Sequence, residues 1–139
     1  MKRHATAIWQ GSGKEGTGTL STQSRILDKA SYAFNSRFEN GKGTNPEELI
    51  AAAHAGCFTM QLAFNVGKAG FTPTELNTKC EITIEDFKIT TSHLILQATI
   101  DGISQEKFDE VVADAKQNCP VSRLLNTDIS IEATLNGGS

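Results

Sequence analysis

The apolar residues of segment 49–66 recur at helical spacing, and no formally charged side chain interrupts them. Five of them fall on one stripe, at intervals of four, four, three and four residues. The preceding segment, 44–48, combines a capping side chain, a proline and two carboxylates, which is typical of a helix start. Lys68 and the glycines beside it indicate the end. The pattern predicts one long helix, whose apolar stripe consists of Leu49, Ala53, Cys57, Met60 and Phe64.

Alternation of apolar and polar residues predicts strands before and after this helix. The two segments that follow the helix favour an antiparallel pair. The glycine-rich residues 11–16 have the spacing of a dinucleotide-binding loop. Such a loop should open a helix, whereas this one leads into a predicted strand, so a hairpin turn is favoured. A glycine-containing tail ends the sequence at 136–139. The predicted strands cover residues 6–8, 19–22, 32–38, 78–84, 94–100 and 129–135.

A second amphipathic helix is predicted from Ser104, with an apolar stripe that continues to Cys119. Pro120 suits the first position of a further short helix, which ends at Leu124 or Leu125. Cys119 would then be the N-cap of that helix, a position that favours a thiolate. The order of strands, long helix, strands, helix and strand predicts an α+β domain.

Length and composition narrow the class of protein. The chain has 139 residues, which suits one domain spanning 1–139. Hydrophobic residues make up 38%, so we expect neither a membrane protein nor a disordered one. Scattered charges with a net value of −3 make nucleic acid an unexpected partner. The apolar stretch after the basic residues 2–4 is too short for a signal peptide, so we expect a cytoplasmic protein.

The three cysteines carry the candidate chemistry, since cytosolic thiols are held reduced and the disulfides that persist there are usually catalytic or redox-sensing. Cys80 is in phase with the apolar residues of its strand and is interpreted as a core residue. Cys57 and Cys119 lie on stripes of two helices and could meet if those helices pack together. Core packing of Cys57 and a metal site built from His54, both of these cysteines and an acid are the alternatives.

Several segments together resemble the OsmC/Ohr family, that of osmotically inducible protein C and the organic hydroperoxide resistance proteins. The resemblance covers nearly the whole chain and is closer to the OsmC branch. The segments that carry it are Arg37-Phe38-Glu39, Gly-Thr-Asn-Pro-Glu-Glu-Leu at 43–49, Ala-Ala-Ala-His-Ala-Gly-Cys-Phe at 51–58 and Cys119-Pro120-Val121-Ser122.

The resemblance implies an α+β fold with antiparallel β-sheets around a long central helix and a second amphipathic helix, in an intertwined homodimer. It implies reduction of organic hydroperoxides and hydrogen peroxide by thiols, without metal, haem or flavin. Cys57 matches the thiol that attacks the peroxide, and Cys119 matches the thiol that resolves it in a disulfide. Arg37 and Glu47 match a charged pair beside the attacking thiol. The implied reductant is a dithiol, a dihydrolipoyl group on a lipoylated protein.

The chemistry suits these residues, because a cation about 4 Å from a thiolate contributes roughly 4 kcal/mol at an effective dielectric of about 20. Arg37 could therefore activate Cys57, with Glu47 fixing the guanidinium. In a continuous helix Glu47 lies about 15 Å from Cys57 along the axis. Either the helix breaks near Gly56, or Glu47 belongs to the other subunit, which we favour because the helix is apolar nearly all round.

Two other functions fit the same residues. A cysteine hydrolase or acyl transferase would use Cys57 as the nucleophile and His54 as its base. Nothing in the sequence marks the third residue or the oxyanion hole that such an enzyme needs. A non-enzymatic dimeric binding module would pack the three cysteines as core residues. A low-pKa thiol would argue against the binding module, and a disulfide between Cys57 and Cys119 would argue against the hydrolase.

Overall fold

The computed structural model describes residues 1–137, in two compact units that divide after Leu49. Gly138 and Ser139 of the predicted tail lie outside the described residues. The second unit begins at Ile50, within the long helix. The single domain over 1–139 stays a prediction. Both units contain strands and helices, in runs of strands followed by helices, which agrees with the predicted α+β class.

The first unit is a three-stranded antiparallel sheet with one short helix. Strands β1 (Ala5–Gln10), β2 (Thr17–Thr22) and β3 (Ala30–Tyr32) lie in that order. The glycine-rich segment joins β1 to β2, as the predicted hairpin requires. Gly18 lies between Trp9 and Tyr32, where an added Cβ would come within 2.5 and 2.6 Å of ring atoms. Glycine therefore allows the two aromatic rings to approach each other to 5.4 Å across the strand.

The strand predicted over 32–38 is wrong beyond Tyr32, because helix α1 (Phe34–Phe38) takes its place. The Ser36 hydroxyl accepts a hydrogen bond from the Ala33 amide at 2.8 Å and donates one to the Ala33 carbonyl at 2.9 Å. These bonds close a turn on Ala33. A serine side chain that satisfies nearby backbone groups competes with the ladder of a strand. The hydrogen bonds of Ser36 therefore favour a helical turn over a strand in this segment.

Helix α2 (Pro46–Lys68) confirms the predicted long helix. The side-chain oxygen of Asn45 accepts the Glu48 amide at 2.7 Å and caps its first turn. Gly70, at a φ of +94°, accommodates the turn after its end. By length and composition α2 could cross a membrane, since 18 of its residues reach a mean hydropathy of 1.3. Core helices of soluble proteins meet the same criterion, and the absence of a membrane partner stays a prediction.

The stripe of α2 that faces the core is not the predicted one. Met60 and Phe64 of the predicted stripe are 65% and 62% exposed, and Cys57 is half-buried at its edge. Because α2 is apolar nearly all round, its periodicity could not identify the buried face. The side chains that are buried lie on a neighbouring stripe: His54, Phe58, Leu62 and Val66.

The second unit adds a three-stranded sheet and two helices. Strands β4 (Glu75–Glu85) and β5 (Lys88–Thr99) pair antiparallel, as predicted, and β6 (Asp128–Leu135) confirms the last strand. However, β6 runs parallel to β5, so the prediction of antiparallel pairing throughout is corrected here. Helices α3 (Gln105–Asn118) and α4 (Pro120–Leu124) connect these two strands. A helical crossover of this kind returns the chain to the same end of the sheet and makes a parallel pair possible.

The core of the second unit lies between α2, the sheet and α3. Ser104 caps α3 as predicted, by accepting the Lys107 amide at 3.1 Å. Cys119, which follows α3 directly, is fully buried in this core. The core side chains of the three elements are Phe58, Leu62 and Val66 of α2, Leu94, Leu96 and Ala98 of β5, and Phe108, Val111, Val112 and Ala115 of α3.

Candidate active site

Cys119 is the N-cap of α4, in agreement with the sequence. Its Sγ accepts a hydrogen bond from the Ser122 amide at 3.2 Å, and its S–H donates to the Ser122 hydroxyl at 3.2 Å. Pro120 occupies the first turn, where an amide donor is not needed. The side chain has no exposed surface. The fold therefore holds this thiol at a fixed position, shielded from solvent.

Cys57 meets Cys119 from the side of α2. The two thiols lie close enough for Cys119 to influence the ionisation of Cys57, and both are free of disulfides. Burial raises the pKa of Cys57; the Val121 amide, which donates to its Sγ, lowers it, and the neighbouring Cys119 raises it further. Among residues 50–137, no cation offsets this rise. The structure thus brings the two cysteines together but leaves Cys57 without an activating charge in its own unit.

Arg37 and Glu47 form an ion pair within the first unit. The Nε of Arg37, on α1, lies 3.1 and 3.2 Å from the two carboxylate oxygens of Glu47, in the first turn of α2. The Glu47 side chain is 10% exposed and that of Arg37 is 42% exposed. The guanidinium also lies over the Phe38 ring, 4.9 Å from its centre. These bonds use Nε, so Nη1 and Nη2 remain outside the pair.

An aromatic cavity adjoins Arg37 in the same unit. It measures about 240 Å³, a size that suits a small organic group. The side chains that line it are Trp9, Tyr32, Phe34, Arg37 and Phe38.

The sequence did not reveal the partners of His54. This side chain is fully buried on α2, and both of its ring nitrogens are engaged. Nδ1 lies 2.6 Å from the hydroxyl of Ser92, on β5, and Nε2 lies 2.7 Å from the hydroxyl of Ser122, on α4. Burial lowers the pKa of His54. The geometry therefore connects His54 to Cys119 through Ser122, and not to Cys57 as a hydrolase would require.

Two signals in the sequence could have indicated this cluster. Ser92 is a polar residue in phase with Leu94 and Leu96 on the buried face of β5, and a buried hydroxyl needs a partner. Ser122 stands three residues after Cys119, which is the spacing of a capping interaction. Neither signal identifies histidine as the partner, because the residues that meet are far apart in the sequence.

Cys80 lies at the edge of this cluster, half-buried on β4. Its Sγ is 3.2 Å from the Ser92 hydroxyl, and it packs against the core. Burial raises the pKa of Cys80, which favours the thiol over the thiolate. The interpretation of Cys80 as a packed residue agrees with this environment.

A metal centre at His54, Cys57, Cys119 and an acid is the alternative that the sequence left open. Within residues 1–137, no group of three or more His, Cys, Asp or Glu side chains is arranged to hold a metal ion.

The fold and the facing thiols define an α+β protein with a two-cysteine site, and comparison with known proteins gives its family. The family model for OsmC-like proteins matches residues 39–134, so the chain belongs to the OsmC family. Peroxiredoxin OsmC of Escherichia coli (strain K12) is 44% identical over 97% of both chains. The organic hydroperoxide resistance protein-like 2 of Staphylococcus epidermidis is 30% identical over 69% of this chain and 71% of its own. This similarity supports a peroxiredoxin-like activity.

Solved structures confirm the fold. The organic hydroperoxide resistance protein OhrB of Bacillus subtilis superposes with a TM-score of 0.69 at 22% identity, over 94% of this chain and 98% of its own. An OsmC-like protein of unknown function from Vibrio cholerae gives a TM-score of 0.73 at 15% identity, over 96% and 99%. At these identities the likeness concerns the fold alone.

Proposed function

We propose that this chain is a thiol peroxidase that reduces organic hydroperoxides with Cys57 and closes a disulfide with Cys119. The observation that carries the proposal is the meeting of these two free thiols. The thiolate of Cys57 attacks one peroxide oxygen, the O–O bond breaks, and the alkoxide takes a proton to leave as an alcohol. The sulfenic acid then condenses with Cys119, which gives the disulfide and water.

The difference in exposure between the two thiols supports the roles that we propose for them. Cys57 is half-buried, so a peroxide can reach it. Cys119 has no exposed surface, so it is protected from peroxide while it stands in contact with Cys57. A resolving thiol at this position acts before the sulfenic acid is oxidised further to irreversible acids.

Arg37 is the cation that we propose for activating Cys57. The thiol needs such a charge, because no cation of residues 50–137 offsets the effect of burial on its pKa. A guanidinium about 4 Å away would favour the thiolate by roughly 4 kcal/mol at an effective dielectric of about 20, which is about a thousandfold in ionisation. Glu47 holds Arg37 by Nε, and the Nη groups remain to interact with the thiolate and the peroxide.

The continuity of α2 supports a site shared by two chains. The helix runs without a break from Pro46 to Lys68, which removes the alternative of a break near Gly56. Ten residues of helix separate Glu47 from Cys57 by about 15 Å along the axis, farther than a glutamate side chain reaches. We therefore assign the Glu47 that serves one Cys57 to the other subunit of a homodimer.

Exposed apolar surface supports the same homodimer. Met60 and Phe64 leave one face of α2 largely exposed in the single chain. Among residues 1–49, none of the hydrophobic side chains is buried. A helix that is apolar nearly all round and a small sheet without a core both need a further partner. A second copy of the chain, packed with its α2 against the first, covers these surfaces.

The cavity beside Arg37 and the names of the relatives support an organic hydroperoxide as the substrate. Aromatic side chains form most of its wall, which favours an alkyl or aryl group over a small polar one. Proteins named for organic hydroperoxide resistance are among the relatives. A dithiol, such as a dihydrolipoyl group, would return the disulfide to two thiols by exchange.

Peroxide consumption with dihydrolipoamide as reductant tests the function. We expect faster turnover of cumene hydroperoxide than of hydrogen peroxide, and none after Cys57→Ser, because a serine hydroxyl is not ionised near neutral pH. Cys80→Ala removes a thiol outside the site and serves as the matched control. Full turnover by the Cys57→Ser variant would overturn the assignment.

A mixed dimer tests the shared site. A Cys57→Ser chain and a Glu47→Gln chain are each impaired alone. In the mixed dimer, one site would combine the intact Cys57 of one chain with the intact Glu47 of the other. We therefore expect each mixed dimer to show about half of the activity of a wild-type dimer. No recovery in a folded and verified mixed dimer would place both residues in the same chain's site.

A further inference from the structure

A chain of hydrogen bonds leads from the buried thiol of Cys119 to a buried histidine. The S–H of Cys119 donates to the Ser122 hydroxyl at 3.2 Å, and that hydroxyl lies 2.7 Å from Nε2 of His54. Nδ1 of His54 lies 2.6 Å from the Ser92 hydroxyl. All four side chains are less than 7% exposed. Three elements, α2, β5 and α4, thus contribute to one buried polar network around a thiol.

The donors and acceptors of this network fit one arrangement of protons. Ser122 accepts the proton of Cys119 and therefore donates its own to Nε2 of His54. Nε2 is then the acceptor nitrogen, and Nδ1 carries the hydrogen that Ser92 accepts. Burial lowers the pKa of His54, so the ring is neutral near pH 7 and Nε2 can take up a proton. Ser92 fixes this tautomer.

The proposed disulfide step creates the need for such an acceptor. Cys119 must lose its proton to attack, because the thiolate and not the thiol is the nucleophile. The thiol is fully buried, so bulk water does not remove that proton directly. Its S–H donates to Ser122, and a serine hydroxyl can hold a further proton only by passing its own onward. The nitrogen that stands next on this path is Nε2 of His54.

We propose that His54 is a positioning residue for the resolving reaction. His54 takes up the proton of Cys119 through the hydroxyl of Ser122. This inference rests on the proposed disulfide between Cys57 and Cys119. As the proton moves to Ser122, the Ser122 proton moves to Nε2, and a thiolate and an imidazolium result. Their opposite charges leave the buried network neutral overall, which limits the cost of separating them.

Disulfide formation then follows, with atoms, protons and electrons conserved. The thiolate of Cys119 attacks Sγ of the Cys57 sulfenic acid, the new S–S bond forms, and the S–O bond breaks. Hydroxide leaves and receives one proton as water, while His54 releases the proton that it had taken up. Cys57 is reduced from sulfenic acid to disulfide, Cys119 is oxidised from thiol to disulfide, and His54 returns to the neutral ring.

A single turnover separates this step from the attack on peroxide. The reduced protein is mixed with cumene hydroperoxide, quenched after set times and analysed by mass spectrometry. The gain of one oxygen atom reports the sulfenic acid, and the later loss of two hydrogen atoms relative to the reduced chain reports the disulfide. In His54→Gln and Ser122→Ala, we expect the sulfenic acid to form at the wild-type rate and the disulfide to form at least about a hundredfold more slowly.

Two further variants separate proton transfer from simple support of the fold. Ser122→Thr keeps a hydroxyl at the same position and should restore most of the rate. Asn65→Ala removes another buried polar side chain of α2, which bonds to the Val111 carbonyl and to Asp114, and should leave the disulfide rate unchanged. If His54→Gln does not fold, Ser122→Ala carries the test, since the backbone amide of residue 122 still donates to the Sγ of Cys119, the N-cap of α4.

The outcomes distinguish this inference from the proposed function. Slow disulfide formation in both network variants, with normal sulfenic acid formation and rescue by threonine, supports the role of His54. Wild-type rates of disulfide formation in these variants overturn it, as does an equal slowing by Asn65→Ala. A wild-type protein that forms no sulfenic acid or disulfide with peroxide overturns the proposed function instead.

Discussion

The buried histidine should make the stability of the protein depend on pH in a defined window. Burial lowers the pKa of His54 in the folded state, whereas the unfolded chain titrates near the ordinary value of 6.5. Below that value the unfolded state binds a proton that the folded state does not bind. The free energy of unfolding therefore falls as the pH falls, until the folded pKa is reached. Above 6.5 the contribution of His54 is complete.

The magnitude follows from the two states. Between about pH 7.5 and about pH 5.5, a histidine in the unfolded chain passes from mostly neutral to mostly charged. This protonation lowers the free energy of unfolding by at most about 1.4 kcal/mol. The comparison is made against a variant without the imidazole, so that the contributions of all other groups cancel. The free energy of unfolding of His54→Gln should therefore fall less than that of the wild type over this pH range, by up to about 1.4 kcal/mol. The variant should also be less stable at both pH values by about 1–3 kcal/mol, because the Ser92 or Ser122 hydroxyl loses its partner.

Urea unfolding at the two pH values, at one fixed protein concentration, measures the effect. Should the variant not fold, an NMR titration of the His54 imidazole in the wild-type protein gives the same information. An equal pH dependence in wild type and His54→Gln would refute the reasoning. So would an imidazole of His54 that titrates at or above 6.5, the ordinary value for histidine.

Two thiol variants test the other assignments. Cys119→Ser should reduce about one equivalent of peroxide per chain and then stall, with Cys57 oxidised to the sulfinic acid under excess peroxide; mass spectrometry that finds a stable, reduced Cys57 there would contradict the resolving role. Cys80→Ala should keep its turnover and lose about 1 kcal/mol of stability, because it removes packing and the contact with Ser92. A folded but inactive Cys80→Ala chain would show that this strand had been misinterpreted.

Local interactions made several features predictable from the sequence. Asn45 and Pro46 fix the start of α2, and Pro120 places Cys119 at an N-cap, because each acts on backbone groups within one turn. The alternating residues of β4 and β5 identified the buried face of the sheet for the same reason. The short helix at 34–38 differs from the predicted strand although its cause, the hydrogen bonds of the Ser36 hydroxyl to Ala33, is also local.

Tertiary structure alone decided the arrangement around the thiols. The apolar character of α2 on nearly every side left its buried face open, and packing against β5 and α3 selected the stripe of Phe58. His54 meets Ser92 and Ser122 across 38 and 68 residues of chain. Contacts of that separation depend on how distant elements align, and residue spacing within one element carries no information about that alignment. The direction of β6 was open for the same reason, because it depends on where the crossover through α3 and α4 returns the chain.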